Sequence, residues 1–219
     1  MTEASKQRVE LLEKNKPQQA RAKRTYESIL ESAAVLLVEV GVERISTNLV
    51  AERAGITVPA VYRYFPNKYA VLHALGARLM DKQNTVFQHW FDNHAEEGDP
   101  RTLLENVHDL LQETHYVTQQ ATGGREIVQA LRAVTPLQEL RLESHRLIAD
   151  QFALTVASLL GREQDELVKT QAHLSIDLGY AIVEMMLEER GASTELLLQE
   201  GARMIQLYWQ GVFGLAPKT

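Results

Sequence analysis

The stretch STNLVAERAGITVPAVYRYFPNKYAVL, Ser46 to Leu72, decides the reading of this chain. Its helical period predicts two short helices, Thr47 to Ala54 and Val58 to Phe65, joined by Ala54-Gly55-Ile56-Thr57 and stopped by Pro66. A sharp turn between helices needs a positive φ, which glycine adopts without a steric penalty, so Gly55 marks the corner. Leu49, Val50, Ala54, Ile56 and Val61 can form a small apolar seam that locks the pair. Helices this short are marginal alone, so they must pack on each other and on the longer helix before them.

The second short helix then carries an unusual outer face. Thr57 can cap its start. Val58, Pro59 and Ala60 are compact, which permits close approach, and their carbons suit thymine methyl groups. Arg63 suits a bidentate contact to guanine or a pair with a phosphate. The hydroxyls of Tyr62 and Tyr64 suit phosphate oxygens, although residues two apart do not share one helix face. Phe65 is expected in the core. Lys68 sits in the first turn of the next helix, where a cation opposes the helix dipole. A nearby phosphate would offset that cost, and the free amides of the helix start would bind it too.

Around this stretch the chain reads as all-α, with about nine helices. Thr25 to Val40 is a long helix with Ile29, Ala33, Leu36, Leu37 and Val40 on one stripe and Gly41 as its stop. Asn67 can cap a helix reaching about His94. Further helices are expected over residues 102–120, 125–134, 136–160, 163–190 and 193–213, punctuated by Gly98-Asp99-Pro100, Gly123-Gly124, Gly161 and Gly191. The expected organisation is an arm at 1–20, a three-helix helix-turn-helix domain at 21–66 and a larger helical body at 67–219.

Charge follows the same division. Residues 1–75 hold 11 Lys/Arg and 8 Asp/Glu, a balance of +3, whereas the remainder balances at −9. A mildly basic head on an acidic body suggests that the head alone approaches a polyanion. Lys14, Lys16, Arg21, Lys23 and Arg24 cluster in and just after the arm; they either enter a minor groove or form a solvated charge run.

The run from Thr47 and Ala51 through Ala54-Gly55-Ile56-Thr57 to Tyr62, Tyr64-Phe65 and Asn67-Lys68 resembles the TetR family of regulators. The close match covers about residues 24–72; beyond it, only helix pattern and length agree. The resemblance implies that the helix after the turn enters the major groove, and that Thr47, Asn48, Thr57, Val58, Pro59, Ala60, Tyr62, Arg63, Tyr64 and Lys68 are DNA-facing. Pro59 stands where the family often has glycine, so base preference does not carry over. Asn48 can also be read as an ordinary helix-start residue.

One reader of this size contacts few base pairs, and two-fold symmetry is the usual remedy. The resemblance places dimerisation on the last two long helices. Their stripes include Ile176, Gly179 and Val183 on one and Gly201, Ile205 and Tyr208 on the other; the same stripes read equally as monomer core. It also implies a small-molecule pocket among the middle helices. Trp90, Phe91, His115, Tyr116, His145 and Tyr180 are the candidates, drawn from a wider set that adds Phe87, His108, Phe152 and Met185.

The expected function is a transcription regulator, a repressor, that binds a palindromic double-stranded operator as a homodimer and is released by an unidentified effector. The alternatives are a helical small-molecule-binding protein without specific DNA binding and an activator of the same fold. No sequence signature of an enzyme, a cofactor or a metal site is present: Glu96-Glu97 and Glu188-Glu189 read as solvated helix ends, and His108 and His115 lie two turns apart with no tight ligand spacing. No stretch is apolar enough for a membrane span, cysteine is absent, and a cytoplasmic location is expected.

Overall fold

A computed structural model describes residues 10–14, 17–94, 99–188 and 191–216. Most of the expected arm (residues 1–9, with Asn15 and Lys16), Glu96-Glu97 and Glu189 lie outside the described residues. Ten helices and no strand occur among the described residues: α1 (Ala20–Arg44), α2 (Thr47–Arg53), α3 (Val58–Tyr62), α4 (Lys68–His94), α5 (Pro100–Glu105), α6 (Val107–Gln120), α7 (Gly124–Ala133), α8 (Thr135–Leu159), α9 (Glu166–Leu187) and α10 (Thr194–Phe213).

The helix that the sequence places at residues 102–120 is two helices, broken at Asn106. Asn106 leaves helical backbone values, donates its side-chain amide to the Thr102 carbonyl (2.8 Å), and offers its own carbonyl to Trp90 Nε1 (2.9 Å). A side chain that bonds backbone locally, and a carbonyl taken by an indole, both draw that residue out of the helical ladder. α1 starts earlier than the apolar stripe suggests. Its φ turns positive at Gly41 (φ 75°), the expected stop, and one further turn follows.

Several ends carry the caps their sequences call for. Ser46, Asp165 and Ser193 accept from the amides of Leu49, Val168 and Leu196, and Asn67 Oδ1 accepts from Ala70 N. Thr57 occupies the N-cap of α3 without a side-chain cap bond.

The helices fall into two compact units, and neither is contiguous in sequence. The first combines the chain up to Leu79 with residues 122–141; the second combines residues 80–121 with residues 142–219. In the first unit Ile29, Leu30, Leu37, Val50, Val61, Phe65, Val71 and Leu131 form a buried apolar core. Residues 122–141 belong here because they cover α1 and the start of α4. A Cβ at Gly123 would lie 2.9 Å from the Ala34 carbonyl oxygen, and one at Gly76 2.7 Å from the Leu131 side chain. In the second unit Val156, Val168, Ala172 and Trp209 are fully buried, with Trp209 Nε1 donating to Ser175 Oγ (2.9 Å).

Candidate nucleic-acid interface and effector cavity

α3 is a five-residue helix held from behind. Gly55 takes φ 65° at the corner, and Ile56 N donates to the Ala51 carbonyl, closing the turn from α2. Val61 and Phe65 are completely buried, with Phe65 stacked on Tyr26 at 5.3 Å. The opposite side of the turn and helix stands open: Thr57, Pro59, Tyr62 and Arg63 are exposed, and Val58 and Ala60 are half-buried between them. Tyr62 is 43% exposed, and its hydroxyl meets that of Thr47 at 3.2 Å, tying the end of α3 to the start of α2. Asn48 is exposed beside the largely buried Thr47.

Two of the expected DNA-facing residues do other work. Tyr64 is only 5% exposed; its hydroxyl donates to the Ala22 carbonyl and its ring meets Tyr26 edge-on. The reason is that α3 ends at Tyr62, not Phe65, so the chain turns and swings Tyr64 inward. Lys68 does open α4, but its ammonium donates to the Val42 and Glu43 carbonyls (3.1 and 3.2 Å) at the end of α1. Those carbonyls offset the cost of a cation at a helix start, and one of its three N–H donors is left over for a phosphate.

The described part of the arm lies along the same unit. Lys14 N donates to the Tyr64 carbonyl (2.8 Å), Asn67 Nδ2 donates to the Glu10 carbonyl (2.8 Å), and Tyr26 donates its hydroxyl to Glu13 Oε1 (2.7 Å). Burial first, and then this carboxylate, push the Tyr26 phenol well above its ordinary range.

The second unit encloses a cavity of about 70 Å³ between α4, α6, α8, α9 and α10. Phe87, Trp90, Phe152 and Tyr180 supply aromatic walls; Leu111, Ile148, Ile176, Val183 and Ile205 supply aliphatic ones. Burial, with Asp177 second, raises the Tyr180 phenol so that it stays protonated. The polar groups are few: Gln83, Thr114, Ser175 and Tyr180. Thr114 and Ser175 already donate to the carbonyls of Leu110 and Gln171.

Residues 29–75 match the family described as bacterial regulatory proteins, tetR family. Residues 29–75 thus carry a domain of that family. Two relatives from Escherichia coli align over part of the chain. The tetracycline repressor protein class C is 39% identical over 79 residues, 36% of this chain and 34% of the relative. The class A protein from transposon 1721 is 40% identical over 58 residues, 26% of this chain and 27% of the relative. The chain thus spans about a third or less of the length of the curated relatives it matches. In three dimensions it is similar to a TetR-family transcriptional regulator from Streptomyces coelicolor, with a TM-score of 0.61 and 23% identity over 86% of this chain and 99% of that one. That likeness concerns the fold, and it extends past the tetR domain into the helical body.

In the helical body beyond that domain, the structure sorts the residues expected from sequence. Trp90 and Tyr180 line the cavity, as do Phe87 and Phe152. His145 is buried behind it, stacked on Tyr180 at 3.9 Å and bonded to Asp177 Oδ1 (2.8 Å), so it orients a wall residue. Phe91, His108, His115, Tyr116 and Met185 are not among the lining residues; Tyr116 is exposed, and burial holds the His115 imidazole below its ordinary pKa. Ile176, Gly179, Val183 and Ile205, expected on a dimer face, face the cavity, and Gly201 is buried against Ile182. Of that set only Tyr208 is exposed. Gln83 escaped the sequence reading, because a lone glutamine on an amphipathic helix carries no signal of burial.

Among the described residues no group of three or more His, Cys, Asp or Glu is placed to hold a metal ion, and no helix is long and apolar enough to cross a membrane.

Proposed function

We propose that this chain is a transcription regulator of the cytoplasm, a repressor, that binds a palindromic operator as a homodimer and lets go when a small molecule enters the second unit. The observation that carries the reading is the two-sided character of α3. Its rear is locked by Val61 and Phe65, while compact side chains, Tyr62 and Arg63 stand on an open face of a helix-turn-helix. A helix of that description can lie in a major groove and read base edges. Asn48, Thr57, Val58, Pro59 and Ala60 complete the contact, with Thr47 holding the Tyr62 hydroxyl from behind and Lys68 offering its remaining donor to a phosphate.

The homodimer is assigned to the apolar side chains that α9 and α10 leave outside: Leu174 and Met185 on the first, Met204, Leu207 and Tyr208 on the second. Exposed apolar residues gathered on two adjacent helices mark an association surface. Of the stripe expected from sequence, all but Tyr208 is taken up by the monomer's own interior.

Selection of bound duplexes from random DNA by the purified protein tests the reading. Enrichment of a short inverted repeat is expected. Failure to enrich any sequence, with folded and dimeric protein, sinks specific DNA binding.

A further inference from the structure

Among the polar residues that line the cavity, Gln83 carries a fully buried acceptor that the protein leaves unsatisfied. Gln83 is 3% exposed, and its Oε1 has no hydrogen-bond partner among the described residues. Its amide orientation follows from its neighbour. The Thr118 hydroxyl spends its single hydrogen on the Thr114 carbonyl (2.7 Å), so toward Gln83 its oxygen is only an acceptor. Gln83 must therefore present its NH2 to Thr118, which it does at 2.7 Å. Turning the amide over would set two acceptors against each other. Oε1 is thus held as a buried acceptor on a residue that lines the cavity, and the lining contains no charged residue.

We propose that the cavity takes a compact, uncharged, largely apolar molecule bearing one hydrogen-bond donor, such as a hydroxyl or an N–H, and that Gln83 Oε1 receives that donor. Charge is excluded because no lining residue can pair with a buried ion. Aromatic walls from Phe87, Trp90, Phe152 and Tyr180 favour a flat apolar body. An acceptor-only ligand leaves Oε1 buried without a partner, which penalises it. The inference deepens the effector reading above and rests on it for biological meaning, but the chemistry of the cavity is testable by itself.

Titration calorimetry with phenol, toluene and benzoate at neutral pH separates the cases: similar rings with a donor, without one, and with a negative charge. Phenol is expected to bind about tenfold more tightly than toluene, the effect of one net hydrogen bond in a buried site, and benzoate to give no binding. Gln83→Leu, checked for retained helicity and melting, is expected to erase the preference for phenol. Equal binding of phenol and toluene, tighter binding of benzoate, a preference that survives Gln83→Leu, or no binding of any probe by the folded protein overturns the inference. If Gln83→Leu does not fold, the order among the three probes in the natural protein decides. A protein that discriminates the probes as expected, yet holds its operator equally well with and without phenol, sustains the ligand class and overturns the effector reading instead.

Discussion

α3 and the cavity of the second unit are built from opposite logics. In α3 the residues of interest point out, and the fold's contribution is a rigid back: Phe65 on Tyr26, Val61 in the core, Tyr64 pinned to Ala22. In the cavity they point in, and most wall residues are also part of the core that keeps α4, α6, α8, α9 and α10 together. An outward site can vary its tips without unfolding anything. An inward site cannot change a side chain without altering packing. Recognition of DNA and recognition of a small molecule are therefore expected to respond to substitution in different currencies, affinity for the first and stability for the second.

The largest effect tests the back of α3. Phe65→Ala is expected to lower stability by about 3–5 kcal/mol in urea unfolding, because a completely buried ring leaves a cavity behind it. An unchanged midpoint would mean that α3 is not held from the rear, and the contrast with the inward site collapses. On the open face, Arg63→Ala is expected to weaken operator binding by about 1–3 kcal/mol while leaving the melting curve in place; a matching loss of stability removes the distinction.

In the second unit, Gly201→Ala is expected to cost about 1–3 kcal/mol by overpacking. Its Cβ would sit 2.8 Å from both Cδ1 and Cγ2 of Ile182, atoms that cannot both retreat by one rotation. Differential scanning calorimetry reads it, and no loss in Tm would show the helix pair to be looser than its packing implies.

The smallest effect is a slope. Burial lowers the folded-state pKa of His115, so the unfolded chain binds its proton more readily. Stability is then fully present above the ordinary histidine pKa of about 6.5 and falls as pH drops from there toward the depressed folded value. His115→Gln should flatten stability between pH 7 and 5 relative to the parent protein. An identical pH dependence in both proteins would falsify the assignment.

The same contrast explains what could be read from sequence. The reader is local. Gly55 at the corner, Pro66 after the helix, and Val61 and Phe65 at core spacing all lie within one short stretch, and each falls where its chemistry requires. The exception is Tyr64, and its cause is local too: apolar period continued the helix to Phe65, whereas the chain leaves it at Tyr62 and rotates the next residues. The body depends on which helix meets which. Period identified α9 and α10 as helices with Ile176, Val183 and Ile205 on stripes, but it does not say whether a stripe faces its own core or a second copy. The break at Asn106 needed a partner far along the chain, Trp90, to reveal itself. Gln83 and Thr118 are 35 residues apart, and their pairing is a property of the packed helices rather than of either segment.

The non-contiguous first unit sets a rule for recombination. Gly76 lies against Leu131 and Leu140, and Gly123 against Ala34, so the reader's own hydrophobic interior is completed by chain that arrives more than forty residues after α4 begins. A chimera cut cleanly after residue 66 or 79 would transplant the recognition surface without its lid. Such a graft would have to carry residues 122–141 along, or find in its new host a helix that presents the same leucines.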